Sequence, residues 1–260
     1  MERFGFSDID ISRFEAVERK EFSLSKRGDS WIATDPSGSY IEIEDNNLGL
    51  AMSVALKVQE KVDKSFKEGK ITPLQERFAS INCRKIAWLA RHPEDLSKMA
   101  SLVDIRNYDP DNAQERERIS GIPELKREVI AMLDLGISPL VGTSDDFHLH
   151  ETLQSAPSIV HMFNVEIEKA DELIERILAN EEVGEYINKD MHRDHTFIFL
   201  GKDTSGRHVC FHKGGSGVDD PVEIVDIDSV LAPLRIGNDN RIFLSMVGPL
   251  DSIRRAEKDY

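Results

Sequence analysis

The chain reads as an α+β protein, with helices first and an antiparallel sheet after them. Two observations predict this. Apolar residues recur at helical spacing through 47–69, 123–135 and 165–187, then give way to strand-like runs over 195–200, 208–212, 222–225 and 241–247. Ahead of both lies a short β-rich stretch broken by turn residues.

That first stretch, residues 1–45, predicts a three-stranded meander acting as a small N-terminal arm or subdomain. Glu21–Ser25, Trp31–Thr34 and Tyr40–Ile43 are its strands. Lys26-Arg27-Gly28-Asp29 and Asp35-Pro36-Ser37-Gly38 supply its turns. Residues 46–260 form the α+β core domain. Leu48, Met52, Ala55 and Val58 line one face of the first long helix, which Gly69 ends. Thr72-Pro73-Leu74-Gln75 has the form of a capping box with proline at the first helical position. His92-Pro93 closes the helix that follows. Residues 104–122 are polar and turn-rich and predict an exposed loop or seam. A helix over Pro123–Leu135 turns Leu125, Val129, Met132 and Leu133 inward, and Ile137–Val141 follows as a short strand. Val165–Ile187 is read as helix, with Ala170, Leu173, Ile174, Ile177 and Leu178 inward. Lys213-Gly214-Gly215-Ser216-Gly217 reads as a flexible loop, and the C-terminal residues 253–260 as a solvated tail.

Charge and composition narrow the function classes. Asp and Glu number 48 against 33 Lys and Arg, a net charge of -15, which argues against a nucleic-acid backbone as the main partner. No apolar run is long enough to span a bilayer, and the first residues lack the apolar core of a signal peptide, so no membrane association is expected. Two cysteines are too few for a disulfide framework or a Cys-only zinc site, so the expectation is a soluble, cytoplasmic protein without a cofactor or resident metal.

The clearest hairpin joins His195–Leu200 to His208–His212 across Gly201–Gly206. A two-residue turn at Asp203-Thr204 would set Phe197 opposite Cys210 and His195 opposite His212, with Cβ atoms roughly 4.5–5.5 Å apart. One face then carries His195, Phe197, Phe199, His208, Cys210 and His212. The other carries Thr196, Ile198, Leu200, Val209 and Phe211. Adjacent imidazoles suit a base and its orienting partner, or two polar residues at a sheet end.

Cys83, in Ser80-Ile81-Asn82-Cys83-Arg84-Lys85-Ile86, is the candidate nucleophile. A helix starting at Ser80 or Asn82 would place its thiol in the first turn, where unsatisfied N–H groups stabilise a thiolate. A helix starting at Pro73 would leave Cys83 an ordinary core residue. Cys210, in mid-strand among aromatics, ranks below it.

A cysteine opening a helix, then a histidine opening a strand in Asp194-His195-Thr196-Phe197-Ile198-Phe199-Leu200-Gly201, resembles the papain-like cysteine peptidase fold, and within it the NlpC/P60-like branch. The resemblance covers roughly residues 75–230. It implies a papain-like core in which Cys83 attacks, His195 is the base, His212 orients it and Asn82 helps hold the oxyanion. The reaction would be acyl transfer on a peptide or amide substrate, a thiol-protease-like hydrolase or an amine transferase. Two features depart from the family: no glycine-rich surround at the cysteine, and no clear oxyanion glutamine, since Gln75 fits the capping box. Asp203, Asp219 and Asp220 are weaker candidates for the third residue.

Two rival readings stand beside it. Asp145-Asp146-Phe147-His148-Leu149-His150-Glu151, joined by His192, Asp194 and His195, has ligand types for a metal-dependent hydrolase. The acidic, soluble composition also fits a non-enzymatic interaction protein of the immunity or adaptor type, with a protein partner.

Overall fold

A computed structural model describes residues 16–17, 22–70, 83–92, 128–129, 131–137, 140–143, 153, 156–166, 171–172, 175, 194–213, 221–235 and 241–257. The architecture is α+β, with two antiparallel sheets.

The first sheet is a meander of β1 (Ala16–Val17), β2 (Ser23–Arg27), β3 (Ser30–Thr34) and β4 (Tyr40–Ile43). Alternation along its strands buries Leu24, Trp31, Ala33, Ile41 and Ile43, so one face is apolar. Helix α1 (Asn46–Lys67) packs against that face. Asp45 caps it, its carboxylate accepting from Leu48 N–H at 3.0 Å. Gly69 ends it at φ 67°, with Gly69 N–H donating to Phe66 C=O and Lys70 N–H to Ser65 C=O, a Schellman closure. Trp31 lies directly on α1. Its indole N–H donates to Asn46 Oδ1 at 3.0 Å, and a Cβ added to Gly49 would fall 2.2 Å from its ring.

Helix α2 (Cys83–Arg91) follows, and residues 128–129 and 131–134 are also helical. The second sheet contains β5 (Leu140–Thr143), β6 (Ser158–Glu166), β7 (Asp194–Lys202), β8 (His208–Lys213), β9 (Val222–Asp226) and β10 (Arg241–Pro249), in the order β5-β10-β6-β7-β8-β9. Helix α3 (Ile227–Arg235) lies between β9 and β10, and α4 (Leu250–Glu257) follows β10.

The two faces of this sheet belong to different cores. Ile159, Ile198, Leu200, Val209, Phe211, Ile224 and Met246 join α1, α2, Val129, Met132 and α4 in a single core continuous with the meander. Val160, Met162, Phe197, Phe199, Cys210 and Val225 face the other way, with Leu153 and residues Ile227, Val230 and Leu231 of α3.

Four expectations need correction. The span read as helix from Val165 begins as strand, since β6 runs to Glu166. Ser158–Glu166 is rich in β-branched and aromatic residues and pairs along its length with β10. The C-terminal tail is a helix through Glu257, docked by buried Leu250 and Ile253. Lys213, read as the start of a flexible loop, is a buried end residue of β8, donating to Gln59 Oε1 of α1 at 3.2 Å. The β7–β8 register is also shifted, because Phe199, not Phe197, faces Cys210, and a bulge lies between Phe199 and Gly201. The cause is the turn, since Asp203–Arg207 form a five-residue loop. The shift is an even number of residues, so each side chain keeps its expected face.

The capping box at Thr72, the 104–122 loop, Asn82 and residues 214–217 lie outside the described residues, as does the Asp145–Glu151 segment.

Candidate functional site

The hairpin brings His195 and His212 together. They project from one face, and their rings meet edge to face, with His195 Nε2 3.2 Å from His212 Nδ1 and planes at 82°. His212 Nε2 faces the Glu223 carboxylate of β9 at 3.5 Å. This orders the protons. The carboxylate favours N–H at His212 Nε2, so Nδ1 accepts from His195 Nε2–H. Both imidazoles are buried. Burial, then the neighbouring His212, pushes the His195 pKa down to about 3, so His195 is neutral at physiological pH. Cys210 lies on the same sheet face, fully buried.

Cys83 is not brought to these histidines. It lies on α2 and is partly exposed, as a reactive thiol requires. Helix α2, however, packs through Ile86, Ala87, Leu89 and Ala90 onto the Ile198–Phe211 face, opposite the one carrying His195 and His212. A β-sheet layer thus separates the expected nucleophile from the expected base, and the Cys83–His195–His212 site is not assembled as expected.

A different polar group fills the α2 face of the sheet. Arg91 pairs with Glu128 at 2.5 Å, Glu128 with His161 Nε2 at 2.6 Å, and His161 Nδ1 with Thr196 Oγ1 at 2.9 Å. All four residues are buried. Burial works to raise the Glu128 pKa, but Arg91 and then His161 outweigh it and hold the carboxyl below its ordinary range. Carboxylate, imidazole and hydroxyl stand in the order of a hydrolase triad, yet buried this deeply they serve to join α2, the helical residue Glu128, β6 and β7. The sequence carried one signal of this group: His161 sits in the apolar run Ile159-Val160-His161-Met162-Phe163.

A third cluster ties the two sheets together. The turns Asp35-Pro36-Ser37-Gly38-Ser39 and Asp203-Thr204-Ser205-Gly206-Arg207 are built alike. In each, Asp Oδ1 accepts from the Ser N–H, the Ser hydroxyl and the fifth residue's N–H, and the glycine takes φ 89°. The tips touch: Thr204 N–H donates to Tyr40 C=O, and Tyr40 N–H to Thr204 Oγ1 at 3.1 Å. Arg207 donates to both Asp35 and Asp203.

Among the described residues, no group of three His, Cys, Asp or Glu side chains is placed to hold a metal ion, and no helix is long and apolar enough to cross a membrane. Compared with protein-family models, with curated proteins and with solved structures, the chain finds no match.

Proposed function

We propose that the chain is a non-enzymatic acidic interaction protein whose partner is a protein with a basic surface. One observation carries this reading. Arg91, Arg207, Arg254 and Lys213 are used in intramolecular contacts, the three arginines with Glu128, with Asp35 and Asp203, and with Asp45. Four cations against four carboxylates cancel, so the net charge of -15 rests on the remainder of the chain. Such an excess steers a cationic partner and weakens with salt. Burial of His161, His195 and His212 accords with structural roles for these imidazoles. The test is affinity capture from an extract of the source organism at low and high salt. A stoichiometric, salt-sensitive complex with a basic protein is expected. Turnover of peptide or amide substrates that is lost in Cys83→Ser would overturn it.

The second reading is cysteine-dependent acyl transfer in a papain-like core. It is favoured by the partial exposure of Cys83 on α2. Its base would have to come from the α2 side of the sheet. Iodoacetamide decides: labelling of Cys83 at pH 6 much faster than a free thiol supports this reading, and an ordinary rate removes it.

A further inference from the structure

We propose that the β7–β8 hairpin is an acid-operated hinge, in which protons release its open end, where His195 and His212 meet, while its tip stays locked. The two ends are fastened by different chemistry. At the tip, Asp35 and Asp203 hold Arg207, and Thr204 bonds Tyr40 of the first sheet. The Ser37 hydrogen bond leads in lowering the Asp35 pKa, and at Asp203 burial is outweighed by hydrogen bonds from Ser205 and Arg207. Both carboxyls therefore stay ionised below the ordinary carboxylate range, and mild acid leaves the tip intact. At the open end the fastening is a hydrogen bond between two rings. His195 Nε2 and His212 Nδ1 are 3.2 Å apart, and such a bond needs one donor and one acceptor. The closed pair can therefore take up one proton beyond its neutral state, but a second would set N–H against N–H. Separated in water, each ring takes up its own near pH 6.5, so opening binds at least one more proton. The surroundings do not offset that charge. On this side of the sheet, among the described residues, stand Met162 of β6, Cys210 of β8 and the buried Ile227, Val230 and Leu231 of α3, while Asp228 of α3 is exposed. The Glu223 carboxylate of β9 faces His212 Nε2 at 3.5 Å. On the reverse side, Thr196 bonds His161 of the Arg91–Glu128 group, and Lys213 bonds Gln59. A bulge supplies the hinge. The register shifts between Phe199 and Gly201, and Gly201 takes φ 127°, which residues with a Cβ rarely adopt. It divides the ladder into an open-end part, Ile198–Phe211 and Phe199–Cys210, and a tip part, Gly201–Val209 and Lys202–His208. Only β9 lies beyond β8 in the sheet, so the end of a two-stranded edge ribbon is what must move. One proton bound on opening raises the opening constant about tenfold per pH unit below 6.5, about thirtyfold at pH 5. The hinge is independent of the acidic-surface reading, since its protons enter between buried rings.

The experiment is amide hydrogen exchange of the full chain by NMR, at about pH 6.5 and pH 5, with rates corrected for the intrinsic effect of pH. Protection of the strand amides in 195–198 and 211–213 is expected to fall about thirtyfold between the two, while that of 201–202 and 208–209 stays nearly constant. In His195→Gln, which can still hydrogen-bond but takes up no proton, the open end should lose most of this pH dependence. Where the variant fails to fold, the wild-type profile decides alone. An open end whose protection is unchanged at pH 5 would overturn the proposal. So would an equal loss at both ends of the hairpin, or a full pH dependence retained in His195→Gln.

Discussion

Asp35 and Asp203 hold the same position in two turns of the same build, and Arg207 binds both. The two sheets are therefore joined at their hairpin tips by one guanidinium. Hydrogen bonding from Ser37, opposed by burial and reinforced by Arg207, lowers the Asp35 pKa to about 2. A carboxylate with a depressed folded-state pKa contributes stability above its unfolded value, and loses it as pH falls through the folded one. The Asp35 contribution is thus complete above about pH 4 and lost toward about pH 2. Arg207→Ala should lower the melting temperature at pH 7 by about 2–4 °C, a modest figure because Arg207 is 38% exposed. Calorimetry of the variant at pH 7 and pH 2.5 checks it. An equal loss at both pH values would mean that the clamp is not the source.

Glu128→Gln should be far more damaging. It leaves the Arg91 charge buried without its carboxylate, and breaking such a pair costs about 3–5 kcal/mol. Replacing Arg91, Glu128 and His161 together by apolar residues of similar volume should recover most of that loss. Urea denaturation of the single and triple variants measures both. Glu128 also adds acid sensitivity, since its carboxyl is held below the ordinary range and its contribution fades as pH falls below that range.

His195 gives the opposite pairing of group and shift. As a base lowered to about 3, it binds no proton in the folded state between that value and the unfolded 6.5, while the unfolded chain does. Its contribution is full above pH 6.5 and declines as pH falls, by up to about 1.4 kcal/mol per pH unit for one proton. NMR titration should show His195 still neutral at pH 5. His195→Gln should flatten the stability profile between pH 6.5 and pH 4.

Gly49→Ala tests the seat of Trp31 on α1. The new Cβ would lie 2.2 Å from the indole, so helix and ring must separate. Alanine is otherwise the better helix former, so propensity alone predicts stabilisation. The expected result is a loss of about 1–3 kcal/mol by urea denaturation.

These residues also show what could be read from the sequence. Face assignment on the β7–β8 hairpin depends only on whether the shift is even, so the sequence brings His195 and His212 to one face even with the register two residues off. The length of the loop is not legible, because an Asx turn around Asp203 looks, in sequence, like a shorter turn. The relation of Cys83 to His195 was not legible. It depends on which face of the sheet α2 covers, and apolar residues alternate on both faces of β7. Likewise, nothing local links Arg91, Glu128, His161 and Thr196, which come from four separate elements. Helix α4 resembles a solvated tail in sequence because charged residues dominate 254–259, while only Leu250 and Ile253 dock it.

The position of β10 sets a limit on how this protein can be made. Residues 241–249 run between β5 and β6, so the sheet is not continuous until nearly the whole of this sequence has been synthesised. While the ribosome is still at work, β5 is detached and the backbone groups of β6 that β10 will pair with have no strand to meet. A nascent chain held at that stage presents a bare strand flank, the state most open to wrong pairing with a neighbour or to capture by a chaperone.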